Sequence, residues 1–249
     1  MAFLEPAPPR VLAHRGLAID APENTLLAFA RAMAVGATHI ETDVHASHDG
    51  HAVVAHDDTL KRVAGREVRV DHLSMAELRR VDLGHGQGFA SLGEALDGFP
   101  DARFNIDIKS EAAIAPTVAA ILDANATSRV LVTSFSEKRR LAALAMLPGV
   151  ATSTAARSSA TLFASSSLRM ARRARKVLDT VDAVQLPERY KGVRVVTPRL
   201  IRMAHDAGVE VHVWTVNDPA DMGRLLDLGV DGIVTDRADL AIPLLAARQ

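Results

Sequence analysis

Short runs of apolar and β-branched residues recur along the chain, each separated from the next by a longer stretch in which apolar positions return every three or four residues. That alternation predicts parallel strands joined by crossover helices. The strand-like runs fall at residues 10–14, 39–44, 103–108, 130–134, 150–154, 183–186, 210–215 and 232–235. Helical periodicity occupies, among others, 25–35, 112–124, 137–146, 198–207 and 219–228, several of them opened by Asn, Ser or Pro. Gly36, Gly208 and Gly229 each follow a helix and precede a strand, where a left-handed helix-ending residue belongs. Eight such strands favour a closed (β/α)8 TIM barrel over an open doubly wound sheet, with residues 1–249 forming one domain. Residues 47–88 break the rhythm: a turn at Asp49-Gly50, an apolar run at 52–55 and a small helix near 74–81 read as an insertion after the second strand. Loops at the carboxyl ends of barrel strands carry function, so this insertion is placed to cover a site.

The period of two within strands also sorts polar residues onto faces. In the order Ile40, Glu41, Thr42, Asp43, Val44, the two acids share one face. In the third strand Asn105, Asp107 and Lys109 share a face, with Ile106 and Ile108 turned toward the helices. Acids facing a barrel axis are desolvated and repel each other, so they need a cation or a shared proton. Glu41, Asp43 and Asp107, without sulfur or clustered imidazole, suit a hard divalent cation such as Mg²⁺ or Ca²⁺. A structural ion network with Arg15 and Lys109 is the alternative. His14 ends the first strand and His56 ends the run in the insertion; the former precedes Arg15-Gly16, the latter precedes Asp57-Asp58, which can orient an imidazole. Such a pair can supply a base and an acid at neutral pH, as cleavage of a phosphodiester requires. Of the other histidines, His39, His45, His48, His51, His72, His85 and His205 are expected to have no chemical role, with His45 retained as a supporting group because it shares the face of Glu41 and Asp43.

Composition narrows the partners. A formal net charge of −1 gives no global field for nucleic acid or an anionic membrane. An anionic substrate must therefore be held locally. The basic run Arg169, Arg172, Arg173, Arg175 and Lys176 is spread around a helix and has no interleaved aromatic residues for base stacking, so it reads as a solvated face. The absence of cysteine excludes disulfides and thiolate ligation. No run of about 18 uncharged apolar residues suggests a membrane span. The proline-rich residues 1–10 read as an irregular arm rather than a leader, so a cytoplasmic location is expected.

The ordered set His14-Arg15-Gly16, Ala21-Pro22-Glu23-Asn24-Thr25, Glu41-Thr42-Asp43-Val44, Asp49-Gly50, Val53-Val54-Ala55-His56-Asp57, Asn105 to Lys109, Trp214-Thr215-Val216-Asn217 and Gly229 to Asp236 closely resembles the glycerophosphodiester phosphodiesterase family. The resemblance implies a barrel enzyme that cleaves glycerophosphodiesters to glycerol 3-phosphate and an alcohol with a divalent cation. It further implies His14 and His56 as acid and base, Glu41, Asp43 and Asp107 on the metal, and Arg15 and Lys109 facing the phosphate. The hydroxyl beside the phosphoester would attack first, and water would open the resulting cyclic phosphate. Asp107 stands where the family commonly has glutamate, a shorter arm that favours a different cation or a bridging water. Aspartate there also occurs in sphingomyelinase D-type barrels, which keeps a choline-lipid substrate as an alternative, although those enzymes are secreted and use disulfides. A phosphodiester-binding barrel without turnover is a further alternative, against which both histidines and all three acids speak. Glu23-Asn24-Thr25 is expected to cap the first helix, and Trp214 to form an apolar wall for the glycerol or to pack in the core.

Overall fold

Strand β1 (Arg10–His14) shows the pattern that its neighbours repeat. Val11 and Ala13 pack outward against helices, whereas Leu12 joins an inner cluster with Leu131, Ala151, Ala183 and Val234. The computed structural model describes residues 2–248; Met1 and Gln249, the two ends of the expected 1–249 domain, lie outside the described residues. After β1 come β2 (His39–Ala46), β3 (Ala52–Val54), β4 (Arg103–Ile108), β5 (Val130–Thr133), β6 (Ala151–Thr152), β7 (Ala183–Pro187), β8 (Arg189–Tyr190), β9 (Val193–Arg194), β10 (Glu210–Trp214) and β11 (Gly232–Thr235). The helices are α1 (Leu26–Ala34), α2 (Lys61–Ala64), α3 (Met75–Leu78), α4 (Leu92–Gly98), α5 (Ile114–Asp123), α6 (Glu137–Met146), α7 (Ala156–Ser167), α8 (Ala171–Leu178), α9 (Pro198–His205), α10 (Pro219–Asp227) and α11 (Ala238–Ala246). Among the described residues, no helix is long and apolar enough to cross a membrane.

Parallel pairing runs in the order β6-β5-β4-β2-β1-β11-β10-β7. The two outer strands meet through a bridge between Ser153 and Ala183, where the Thr154 N–H donates to the Ala183 carbonyl at 3.2 Å and the Asp182 N–H to that of Thr152 at 2.9 Å. The sheet therefore closes into the expected (β/α)8 barrel. Ile40, Val44, Phe104, Ile106 and Ile108 face outward and pack with Phe29, Leu96 and Ile121 of the surrounding helices. That leaves the polar residues of β2 and β4 on the axis side.

The insertion after β2 folds back at once: β3 pairs antiparallel with β2, Val44 opposite Val54, and the turn between them places Gly50 at φ +80°. Val53, Leu60, Val70, Met75 and Leu78 form a small core of its own. A capping box between Ser74 and Glu77 starts α3. Elsewhere the periodicity underdescribes the chain. β6 is shorter than the expected 150–154, because residues 153 and 154 are drawn into closing the barrel. The β8–β9 hairpin, absent from the sequence reading, turns through Lys191 and Gly192, whose φ values of 48° and 80° match the two-residue turn that suits strand twist.

Residues 2–4 are a short 3-10 turn rather than an irregular arm, and they plug the amino-terminal end of the barrel. Phe3 is buried edge-on to His39, with ring centroids 5.1 Å apart. Arg10 is bidentate to Glu210 at 2.6 and 2.9 Å and donates to the carbonyls of Leu4 and Pro6. His39 donates from Nε2 to the Phe3 carbonyl at 2.8 Å, while its Nδ1 accepts from Thr38 at 2.9 Å. Burial, reinforced by Arg10 and Arg103, pushes the His39 pKa down from 6.5 to about 3. A depressed value in the fold means that the unfolded chain takes the proton first. The stability that neutral His39 contributes is complete above pH 6.5 and is lost as pH falls toward 3, by up to about 1.4 kcal/mol per pH unit. Urea unfolding at pH 7 and pH 5 should show a larger acid loss for the wild type than for His39→Gln; equal losses would contradict this assignment.

Candidate active site

At the carboxyl end of the strands the barrel opens into a cavity of about 780 Å³. Strand register builds its charged side in two rungs. His14 of β1 pairs with Glu41 of β2, which pairs with Asn105 of β4. One rung further on, Asp43 pairs with Asp107, and Asp107 with Thr133 of β5. The β3 hairpin then returns the chain beside Asp43, whose carbonyl accepts from the Ala55 N–H at 3.0 Å, so that His56 emerges at the same rim. His14, Arg15, Glu41, Asp43, His56, Asp107, Lys109 and Trp214 all line this cavity.

Each imidazole has one nitrogen pinned by a carboxylate. His14 Nδ1 lies 2.6 Å from Asp236 Oδ1, and His56 Nδ1 lies 2.7 Å from Asp57 Oδ1. Nε2 is the nitrogen left for proton transfer on both rings. Burial works against the charged form of His14, but the bond to Asp236 and the charge of Glu41 outweigh it and raise its pKa. His45 does not reach the acids: its Nε2 lies 3.2 Å from the His56 carbonyl, a bond that supports the loop.

The acids are buried and unequal. Burial and the neighbouring charge of Asp43 push Glu41 up to about 8. Asp107 is also raised, chiefly by burial. Asp43 feels the same burial, yet Lys109 and Arg15 hold it below its ordinary value. Lys109 Nζ sits 2.7 Å from Asp43 Oδ1 and 2.7 Å from Asp107 Oδ2, and Arg15 Nε lies 3.2 Å from Asp43 Oδ2. The ion network and the cluster of acids are thus both present. Among the described residues no three His, Cys, Asp or Glu side chains stand ready around one point. The donor set nevertheless fits a hard cation, since Asn105 Oδ1 and Asp107 Oδ1 are buried acceptors with no hydrogen-bond partner and Glu41 stays raised despite the charges of His14 and Lys109.

Three supporting residues were not legible as such. Asp236 enters the sequence reading only as the last residue of the Gly229 to Asp236 motif, with no role given to it, yet it orients His14 and also accepts from Asn217 Nδ2 at 2.7 Å. Glu23 holds Arg15 at 2.9 Å and Arg62 at 2.7 Å. Asn24 donates to Asp43 at 3.1 Å and accepts from Thr42 at 2.9 Å. Of the expected caps, Thr25 does start α1, accepting from the Ala28 N–H. The segment fixes the loop after His14 and also props the acids. Gly16, at φ +82°, approaches Ala28 so closely that a Cβ would stand 2.6 Å from its backbone carbon, which explains the glycine after Arg15. Trp214 meets Phe135 edge-on at 5.9 Å and stands in the cavity wall.

Comparison with known proteins places the chain among phosphodiesterases. The sequence model of the glycerophosphoryl diester phosphodiesterase family matches residues 14–240. The chain is 44% identical to the probable glycerophosphodiester phosphodiesterase 2 of Mycobacterium tuberculosis, over 95% of this chain and 90% of that one. It is 32% identical to the glycerophosphodiester phosphodiesterase of Caldanaerobacter subterraneus, over 94% and 97%. A crystal structure from Silicibacter pomeroyi, 26% identical, superposes with a TM-score of 0.80 over 98% of this chain and 95% of its own. With the family model spanning the first rung of the site to the last helix, the chain belongs to the glycerophosphoryl diester phosphodiesterase family, enzymes that hydrolyse glycerophosphodiesters.

Proposed function

We propose that this phosphodiesterase releases glycerol 3-phosphate by attack of the substrate's own glycerol hydroxyl, with His14 and His56 moving the protons and Glu41, Asp43 and Asp107 holding Mg²⁺ or Ca²⁺. The observation that carries the reading is the shared rim: two imidazoles, each oriented through Nδ1 at 2.6 and 2.7 Å, border the cavity that three buried acids line. One neutral imidazole takes the proton of the hydroxyl beside the phosphoester as its oxygen bonds to phosphorus. The other, protonated, delivers its proton to the departing alcohol oxygen. A cyclic phosphate results, and water activated by the second ring opens it. Arg15 and Lys109 neutralise the phosphoryl oxygens as charge develops, and Trp214 with Phe135 walls the glycerol. A bound cation supplies Lewis-acid polarisation of those same oxygens. Glu41, Asp43 and Asp107 would hold such a cation, and Lys109, 2.7 Å from both aspartates, would share their carboxylates with it while facing the phosphate.

Internal attack has a direct test. An analogue in which propanediol replaces glycerol, leaving phosphocholine attached but no neighbouring hydroxyl, should remain intact while glycerophosphocholine is consumed. Hydrolysis of both at similar rates, followed by choline release, would exclude the cyclic intermediate and point to direct attack by water.

A further inference from the structure

Two segments bring Arg15 and His56 to the cavity: the loop from β1 to α1 and the turn that follows β3. A hollow of about 20 Å³ remains between them, lined by Glu23 and Asn24 from the first and by Ala55, His56, Asp57 and Arg62 from the second. Arg62 spans it. It sits on the single turn α2, whose start is set by Leu60, a residue buried in the insertion's own core. The guanidinium uses both of its edges: Nη1 and Nη2 donate to Glu23 at 2.9 and 2.7 Å, and Nε donates to Asp57 at 2.6 Å.

Beyond each carboxylate lies a group that the chemistry uses. Asp57 turns its other oxygen to His56 Nδ1 at 2.7 Å, and Glu23 Oε1 also accepts from Arg15 Nη1 at 2.9 Å. One cation therefore stands behind both the ring and the phosphate-facing arginine. Burial opposes the charge on Glu23 and on Asp57, yet Arg62 with Arg15 lowers the pKa of the first, and His56 with Arg62 that of the second. Both acids stand ionised at neutral pH. Arg62 itself does not line the main cavity, so any effect it has on the reaction passes through these two carboxylates.

Stability alone gives this arrangement little purpose, because the Arg62 side chain is 48% exposed and ion pairs in contact with water add little to a fold. Position is a different matter. A reacting group displaced by about 1 Å can cost about a hundredfold in rate. Nor would lysine serve, since an ammonium has no planar fork to hold one carboxylate by two bonds and a second by a third. We propose that Arg62 is a positioning residue that locks the His56 turn to the Arg15 loop, setting the imidazole through Asp57 and the Arg15 guanidinium through Glu23. The inference rests on the roles given to His56 and Arg15 in the proposed function.

The test is a set of variants assayed on glycerophosphocholine at saturating cation, with thermal melting as the check on folding. Arg62→Ala should lower kcat by about tenfold or more through the loosened ring, and raise KM by about threefold or more through the loosened Arg15. Asp57→Ala should reproduce the kcat effect alone, and Glu23→Ala the KM effect alone. Combining Arg62→Ala with Asp57→Ala should give a kcat no lower than that of the worse single variant, since both act on one ring. Arg62→Lys keeps the charge and should melt like the wild type, yet fail to restore both constants. Where alanine impairs folding, the lysine variant carries the same comparison. Wild-type constants in either Arg62 variant, or kcat losses that multiply in the double variant, overturn the proposal. If instead the wild-type enzyme does not cleave, or His56→Ala keeps near-normal kcat, the proposed function fails and this inference falls with it.

Discussion

Replacing either His14 or His56 with alanine is expected to lower kcat by about 10²- to 10⁴-fold while leaving cation affinity nearly unchanged. The rate effect follows from how each ring is held. Asp236 and Asp57 fix the Nδ1 sides at 2.6 and 2.7 Å, so the Nε2 nitrogens are presented with little freedom, and an alanine removes the proton acceptor or donor outright. Cation affinity should survive because the proposed donors are oxygens; the nearest approach of His14 to them is 3.9 Å, from Nε2 to Glu41 Oε2. Steady-state kinetics with glycerophosphocholine, combined with calorimetric titration of Mg²⁺ or Ca²⁺, separates the two readouts. A variant with near-normal kcat would refute the acid and base pair.

The opposite signature is expected for Asp107→Ala. Removing this carboxylate takes away one of the three proposed oxygen donors and should weaken Mg²⁺ or Ca²⁺ binding by at least about tenfold. It also deletes one of the two anchors of Lys109, which would remain paired with Asp43 alone. Turnover at saturating cation should recover partly, because the imidazoles are untouched. Asp107→Glu, which lengthens the arm by one methylene, should retain binding. The calorimetric affinity of the alanine variant decides the point: a value equal to that of the wild type removes Asp107 from the ligand set.

The sequence discloses most of the barrel and the contents of its mouth, for a definable reason. Strand period sorts side chains onto faces, so Glu41 with Asp43, and Asn105 with Asp107 and Lys109, could be assigned to one side of their strands before any coordinates were known. Register then needed only parallel pairing of β2 with β4 to set Asp43 beside Asp107. His56 was legible because a turn at Asp49-Gly50 and an apolar run imply a strand returning to β2. Contacts between distant segments have no such signature. The bond from Asp236 to His14 links residues 222 positions apart, and only barrel closure between β1 and β11 brings them together. Phe3 shows no periodicity, yet it is fully buried against Leu12, Leu131, Ala151, Ala183 and Val234 of the strands. Phe163 and Tyr190, which also line the cavity, were missed for a related reason: Phe163 lies on a serine-rich helix and Tyr190 on a hairpin of two-residue strands, too short for alternation to register.

The most direct measurement is release of glycerol 3-phosphate from glycerophosphocholine by enzyme stripped with a chelator, before and after Mg²⁺ or Ca²⁺ is added back. Our account predicts loss of turnover on stripping and its return with the cation, since Asp43 and Asp107 otherwise engage Lys109 while Asp107 Oδ1 is left without a partner. Undiminished turnover by the stripped enzyme, with no response to either cation, would contradict it.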